Sequence, residues 1–340
     1  MGWLREKLSQ FRFINLLVDF KNHPAYLGRV LLPDTYFAHN LYYYFLYFLT
    51  YFGEARKRRK MYRESFVESI HVIPKDKGYL IADFSQEKIL QEAIQHSLSM
   101  YSKQRTELLT SAKKSFLKTY LLDIGSLENE IILRLAQSPF LIKPIASYFN
   151  TLPIFAMAQV WYSPNQELFP SGGSQRFHMD GEGHKHIKCF IPLKTITQDS
   201  GPLTIIPSNE SRVLYKKLKA KKIIRKKNQK IPDEIMLNQG ESVTVVPLTG
   251  EVGSVFFVDN CNCYHYGSRP GLDDRLVLVL QYETPYSREL PTFQKKYNSL
   301  YAGNLSHEPQ KQLEGYLFSL SHQIYSIKRL KKNQKYGEYV

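Results

Sequence analysis

From Pro153 onward the chain breaks into short runs rich in strand-forming residues, over 155–162, 187–193, 203–206, 242–246, 254–258 and 276–282. Gly, Pro, Asn and Ser separate them. Strands this short and this regularly punctuated predict an antiparallel sandwich or barrel. The half before Pro153 reads differently. A strand-like run over 77–84 leads to Ser85, a suitable N-cap. The helix after it carries Ile89, Leu90, Ala93, Ile94 and Leu98 on one side. A second helical pattern covers 127–136, Pro139 interrupts it, and 140–149 continues as a third. Helices beside short antiparallel strands place the chain in the α+β class.

The ends are distinct from this middle. Residues 1–76 are aromatic, basic and mostly helical in pattern, and 291–340 return to polar, helix-like sequence with a basic tail around Lys328, Arg329, Lys331 and Lys332. The start lacks the apolar stretch and small-residue cleavage site of a secretory leader. The most apolar run, 41–52, is too short for a spanning helix, which needs about 20 residues. It precedes a cationic cluster at 54–60, so 41–60 reads either as a peripheral contact with an anionic membrane or as a buried helix with a solvated basic end.

Three cysteines in 340 residues, Cys189, Cys261 and Cys263, exclude a disulfide framework and point to a reducing, cytoplasmic setting. The net charge of +15 favours anionic partners. Part of it is concentrated at 212–230, between two expected strands, where it reads as a solvated loop or as a collector of an anionic substrate. No nucleic-acid-binding signature accompanies it, so no nucleic acid is expected, and no protein partner is inferred.

The stretch FHMDGEGHKH, 177–186, holds three imidazoles and two carboxylates. On an extended segment His178 and Asp180 point the same way. Two ligands do not make a stable metal site. His265, just past the 254–258 run, is the best third. Two imidazoles and a carboxylate form the facial triad that leaves positions open on a ferrous ion for a chelating co-substrate and dioxygen. His184 and His186 also share a face and read as surface residues or as supports of the site. Zinc held by Cys261, Cys263 and His265 is the rival arrangement, but no second cysteine pair closes it.

In order along the chain come Gly78-Tyr79-Leu80-Ile81, His178-Met179-Asp180, Ser200-Gly201-Pro202-Leu203, Gly253-Ser254-Val255, His265 and Arg275. This series, over about 77–285, resembles the phytanoyl-CoA dioxygenase family of Fe(II)/2-oxoglutarate oxygenases. Ser208-Asn209-Glu210-Ser211 departs from that family's pattern. The resemblance implies a double-stranded β-helix, a jelly-roll or cupin-like core, with flanking N- and C-terminal helices. It implies an oxygenase domain at 77–290, with helical support at 85–150 and the jelly-roll core at 153–285. By the resemblance, His178, Asp180 and His265 ligate Fe(II) and Arg275 binds 2-oxoglutarate.

A guanidinium suits such a carboxylate. Alternation puts Arg275, Val277, Val279 and Gln281 on one strand face. Arg269, in a Ser-Arg-Pro-Gly turn, is expected to face solvent. Gln159, Trp161, Lys188 and Phe190 either line the pocket or pack the barrel. Related halogenases lack the carboxylate, so Asp180 implies hydroxylation of an unactivated C–H, with O2 consumed and a small, anionic or lipid-linked substrate. The alternative is a non-catalytic jelly-roll binding protein at an anionic membrane surface.

Overall fold

The computed structural model describes residues 55–56, 58–64, 70–110, 116–122, 127–165, 173–181, 184–239, 242–267, 269 and 271–284. Most of the expected N-terminal extension, including 41–54, and all of 291–340 lie outside them.

The first half supplies β1 (Tyr79–Asp83), α1 (Lys88–Thr110), β2 (Lys118–Leu121), α2 (Glu130–Ala136) and α3 (Pro139–Phe149). Ser85 does not cap α1, which begins three residues later. Its N–H instead bonds Asp83 Oδ1 at 2.8 Å. Pro139 opens α3 because its fixed φ and missing N–H cost nothing in a first turn. Asn150 ends α3 in the left-handed region (φ 55°).

The second half contributes β3 (Ile154–Ser163), β4 (His186–Pro192), β5 (Thr204–Ile205), α4 (Ser208–Ala220), α5 (Asp233–Leu237), β6 (Val246–Pro247), β7 (Ser254–Val258), β8 (His265–Tyr266) and β9 (Arg275–Glu283). Two expectations need correction. The run at 242–246 becomes strand only at Val246. The basic stretch 212–230 is not loop throughout: Ser208–Ala220 is helix, because Ser211, Leu214, Tyr215 and Leu218 recur at helical spacing and are buried, and only 221–230 runs as turns.

The strands form antiparallel pairs in a six-stranded sheet, ordered β1-β7-β4-β9-β3-β2, and a three-stranded sheet, ordered β6-β5-β8. β9 lies at the centre and is buried along its whole length. Its alternate residues serve two cores. Leu276, Leu278, Leu280 and Tyr282 pack with Leu90, Ala93, Ile132, Leu141 and Ile145 of the helices. Val277 and Val279 face the other way and join Phe190, Phe256 and Val258 against Ile205, Val246 and Leu248 of the small sheet and its flank. Each such fully buried side chain contributes roughly 1.5–3 kcal/mol. A third core, with Phe177, Met179, Tyr215 and Ile231, lies under α4.

The basic cluster at 54–60 is not wholly solvated. Arg58 is fully buried and donates to the Pro153 carbonyl at 3.0 Å. Among the described residues, no helix is long and apolar enough to cross a membrane.

Candidate metal centre

The segment 177–180 runs extended because its residues alternate in character. Phe177 and Met179 enter the core under α4, and His178 and Asp180 turn to the opposite side. Backbone bonds hold it. Phe177 pairs with Ile231, and Asp180 N–H donates to Asn260 O at 2.8 Å. His178 and His265 exchange both backbone bonds, N–H to C=O, at 2.9 Å each. Residues so paired stand directly opposite each other. The two imidazole centroids are consequently 4.3 Å apart.

Each imidazole has a fixed role for its ring nitrogens. His178 Nδ1 lies 2.8 Å from Arg176 O, and His265 Nδ1 lies 3.0 Å from Cys263 O. A carbonyl only accepts, so both Nδ1 atoms carry the proton and both Nε2 atoms present a lone pair. Asp180 Oδ1 is 3.8 Å from His178 Nε2 and 3.6 Å from His265 Nε2. His178, Asp180 and His265 form a group whose ligand atoms all lie within 4.8 Å of one another.

The carboxylate's other oxygen is occupied. Asp180 Oδ2 accepts from Lys188 Nζ at 2.7 Å and lies 3.4 Å from His186 Nε2. Lys188 reaches it from β4, where it faces Gln281 and Val258 in register. Behind His186, its Nδ1 is 3.5 Å from Glu283 Oε1, which in turn accepts from Gln281 Nε2 at 2.5 Å. His186 and Glu283 are fully buried.

Protonation suits a cation. Burial pushes His178 down to about 3, with His265 adding to the effect and Asp180 opposing it. Burial also lowers His265. Burial alone would raise Asp180, but Lys188 first, and then the His186 hydrogen bond and the nearby imidazoles, hold its carboxyl well below the usual range. Two neutral imidazoles and one ionised carboxylate are the states a metal requires.

The rival zinc set does not form. Among the described residues the metal-capable group is His178, Asp180 and His265. Cys261 Sγ lies 3.5 Å from His186 Nδ1, and Cys263 Sγ is turned to the carbonyls of Lys77 and Gly78. Burial pushes both thiols up, away from the thiolate that zinc takes.

Arg275 begins β9 and is buried. Its Nη1 donates to Gly201 O at 2.9 Å and its Nη2 lies 3.4 Å from Ser163 Oγ, both neutral acceptors. Desolvation lowers it to about 10. Gly267, two residues past His265, lies against it, and a Cβ there would come within 3.7 Å of Nη2.

Arg269 is not solvent-facing. It forms a bidentate pair with Asp233 at 2.6 and 2.7 Å, donates from Nε to Gln175 O, and stacks 3.1 Å from the Tyr266 ring centroid. Its charge is already engaged. Trp161 packs edge-on to Phe190 in the inner core and donates to Gln159 Oε1 at 2.6 Å. His184 is only partly buried, whereas His186 belongs to the supports of Asp180. The sequence reading missed how Lys188 and Glu283 serve the site. The signal was alternation on β4, which puts His186 and Lys188 on the inner face beside Phe190.

No protein-family model and no curated protein matches the chain. Solved structures do. EctD from S. alaskensis with bound Fe is 16% identical, with a TM-score of 0.43 over 62% of this chain and 73% of that one. SnoN, an epimerase solved with Fe3+, alpha ketoglutarate and nogalamycin RO, is 12% identical, with a TM-score of 0.43 over 68% and 83%. HygX from Streptomyces hygroscopicus, solved with nickel and 2-oxoglutarate, is 16% identical, with a TM-score of 0.39 over 67% and 86%. TM-scores this low assign no residue a role. The roles rest on where this chain's own side chains sit.

Proposed function

We propose that this protein is an Fe(II)- and 2-oxoglutarate-dependent oxygenase built on a double-stranded β-helix, with 77–290 as the oxygenase domain. The observation that carries the reading is the convergence of His178 Nε2, His265 Nε2 and Asp180 Oδ1 with their proton-bearing or occupied partners pointed away.

His178, Asp180 and His265 would hold ferrous iron, for which two imidazoles and a carboxylate are a suitable donor set. Arg275 takes the distal carboxylate of 2-oxoglutarate. It fits that task as a buried, planar guanidinium at the start of β9. Iron and 2-oxoglutarate bound there would supply dioxygen activation coupled to oxidative decarboxylation of the 2-oxoglutarate. Lys188 keeps Asp180 Oδ2 occupied, with His186 Nε2 3.4 Å away, so Oδ1 is the oxygen turned to His178 and His265. The Arg176 and Cys263 carbonyls fix the imidazole tautomers. The apolar inner core around Phe190, Val277 and Val279 limits water on this side of the sheet. The product of this reading is a hydroxylated C–H bond on a small-molecule substrate.

Purified protein with ferrous iron, ascorbate and 2-oxoglutarate should form succinate even without a substrate, and His178→Ala should abolish it. Equal succinate from the variant, or a protein that neither retains iron nor is stabilised by 2-oxoglutarate, overturns the assignment.

A further inference from the structure

A cavity of about 420 Å³ lies on the far side of the 177–180 segment from the candidate metal centre. Met179 forms part of its wall, and Met179 belongs to the core under α4, opposite the side chains of His178 and Asp180. The volume falls within the range of about 300–1,000 Å³ typical of small-molecule sites.

The cavity has two chemical halves. Met179, Tyr215 and Ala220 offer apolar surface, Met179 and Tyr215 being buried. The rim is cationic. Arg212, Lys216 and Lys219 follow one another at helical spacing along α4, so they share a face, and all three are exposed. No acidic side chain is among the described residues of the lining. The one acid of α4, Glu210, accepts instead from the Thr244 N–H at 2.8 Å.

The positive field extends past the rim. Lys185, held 4.8 Å over the Tyr148 ring, feels the charges of both Lys75 and Arg212. Its ammonium is pushed down first by burial and further by these two cations, against the opposing pull of Asp259. Like charges gathered beside an apolar recess repel one another until an anion joins them. Ser208 and Asn262 complete the lining.

We propose that this cavity is a second ligand site, taking a single-chain amphiphile whose apolar body rests on Met179 and Tyr215 and whose phosphate meets Arg212, Lys216 and Lys219. The site is separate from the face of the candidate metal and does not depend on which metal is held there.

Calorimetric titration of the full chain with octyl phosphate tests it, with inorganic phosphate and octanol as half-ligands. Octyl phosphate should bind more tightly than either half. Replacing Arg212, Lys216 and Lys219 together with Gln should weaken it about tenfold. Ala220→Trp, on an exposed position that projects into the recess, should weaken it by a comparable factor, and His178→Ala should leave it unchanged. The proposal fails if octyl phosphate binds no better than inorganic phosphate. It also fails if neither the charge variant nor Ala220→Trp alters binding, or if His178→Ala abolishes it. Flotation with phosphatidic acid vesicles separates a free amphiphile from a membrane: capture lost in the charge variant but kept in Ala220→Trp makes the face a membrane contact and overturns the cavity site.

Discussion

Lys188 donates from Nζ to Asp180 Oδ2 at 2.7 Å, whereas Oδ1 is the oxygen closest to His178 and His265. One carboxylate therefore answers to two charges, a fixed ammonium behind it and the cation it is proposed to hold in front.

Lys188→Met should leave Asp180 without its main counter-charge. Removing one partner of such a pair costs about 3 kcal/mol. The loss should be larger in metal-free than in metal-loaded protein, because a bound cation compensates the carboxylate from the other side. Urea denaturation of the variant with and without Ni(II) measures the difference. Equal losses would mean that Asp180 does not face the metal.

Acid should destabilise the metal-free protein well before its carboxylates titrate. His178 is held near 3, and His265 is also lowered, against about 6.5 when unfolded. Below about 6.5 the unfolded chain takes up protons that the folded imidazoles refuse, so stability falls as pH drops from there toward 3. Thermal melts of metal-free protein from pH 7.5 to 4.5 should show a falling Tm, with a shallower slope in His178→Gln.

Arg275→Lys keeps a charge but loses the planar fork. If Arg275 binds 2-oxoglutarate, the variant should show KM for 2-oxoglutarate raised by about tenfold or more, while iron binding is unchanged. Steady-state succinate formation at varied 2-oxoglutarate, beside metal titration, reads the two effects separately. An unchanged KM would remove Arg275 from this role.

Gly201 has φ 58° and its carbonyl receives Arg275 Nη1. A Cβ there would overlap the Arg269 carbonyl. Gly201→Ala should cost about 1–3 kcal/mol from strain and should also disturb Arg275, raising KM for 2-oxoglutarate. Urea denaturation and 2-oxoglutarate kinetics on one preparation check both.

Much of the arrangement was legible because it is local. The strand at 254–258 and the cores on either side of β9 follow from alternation, which depends only on neighbouring residues. The spacing of His178 and Asp180 works in the same way. Other parts were illegible for a physical reason. The charges in 212–230 obscured α4, whose buried residues are spaced among lysines. Arg269 read as a turn residue because Asp233, its partner, lies 36 positions away.

Residue chemistry and short-range periodicity by themselves set the strand faces and marked His178, Asp180 and His265 as candidate donors, while the role expected of Arg275 came from the family resemblance. Tertiary structure alone decided which oxygen of Asp180 faces His178 and His265, that Lys188 takes the other, and that a cationic cavity lies behind the same segment. The division has one cause. A side chain's direction is set by its own backbone, whereas its partner is set by the register between segments that folding brings together.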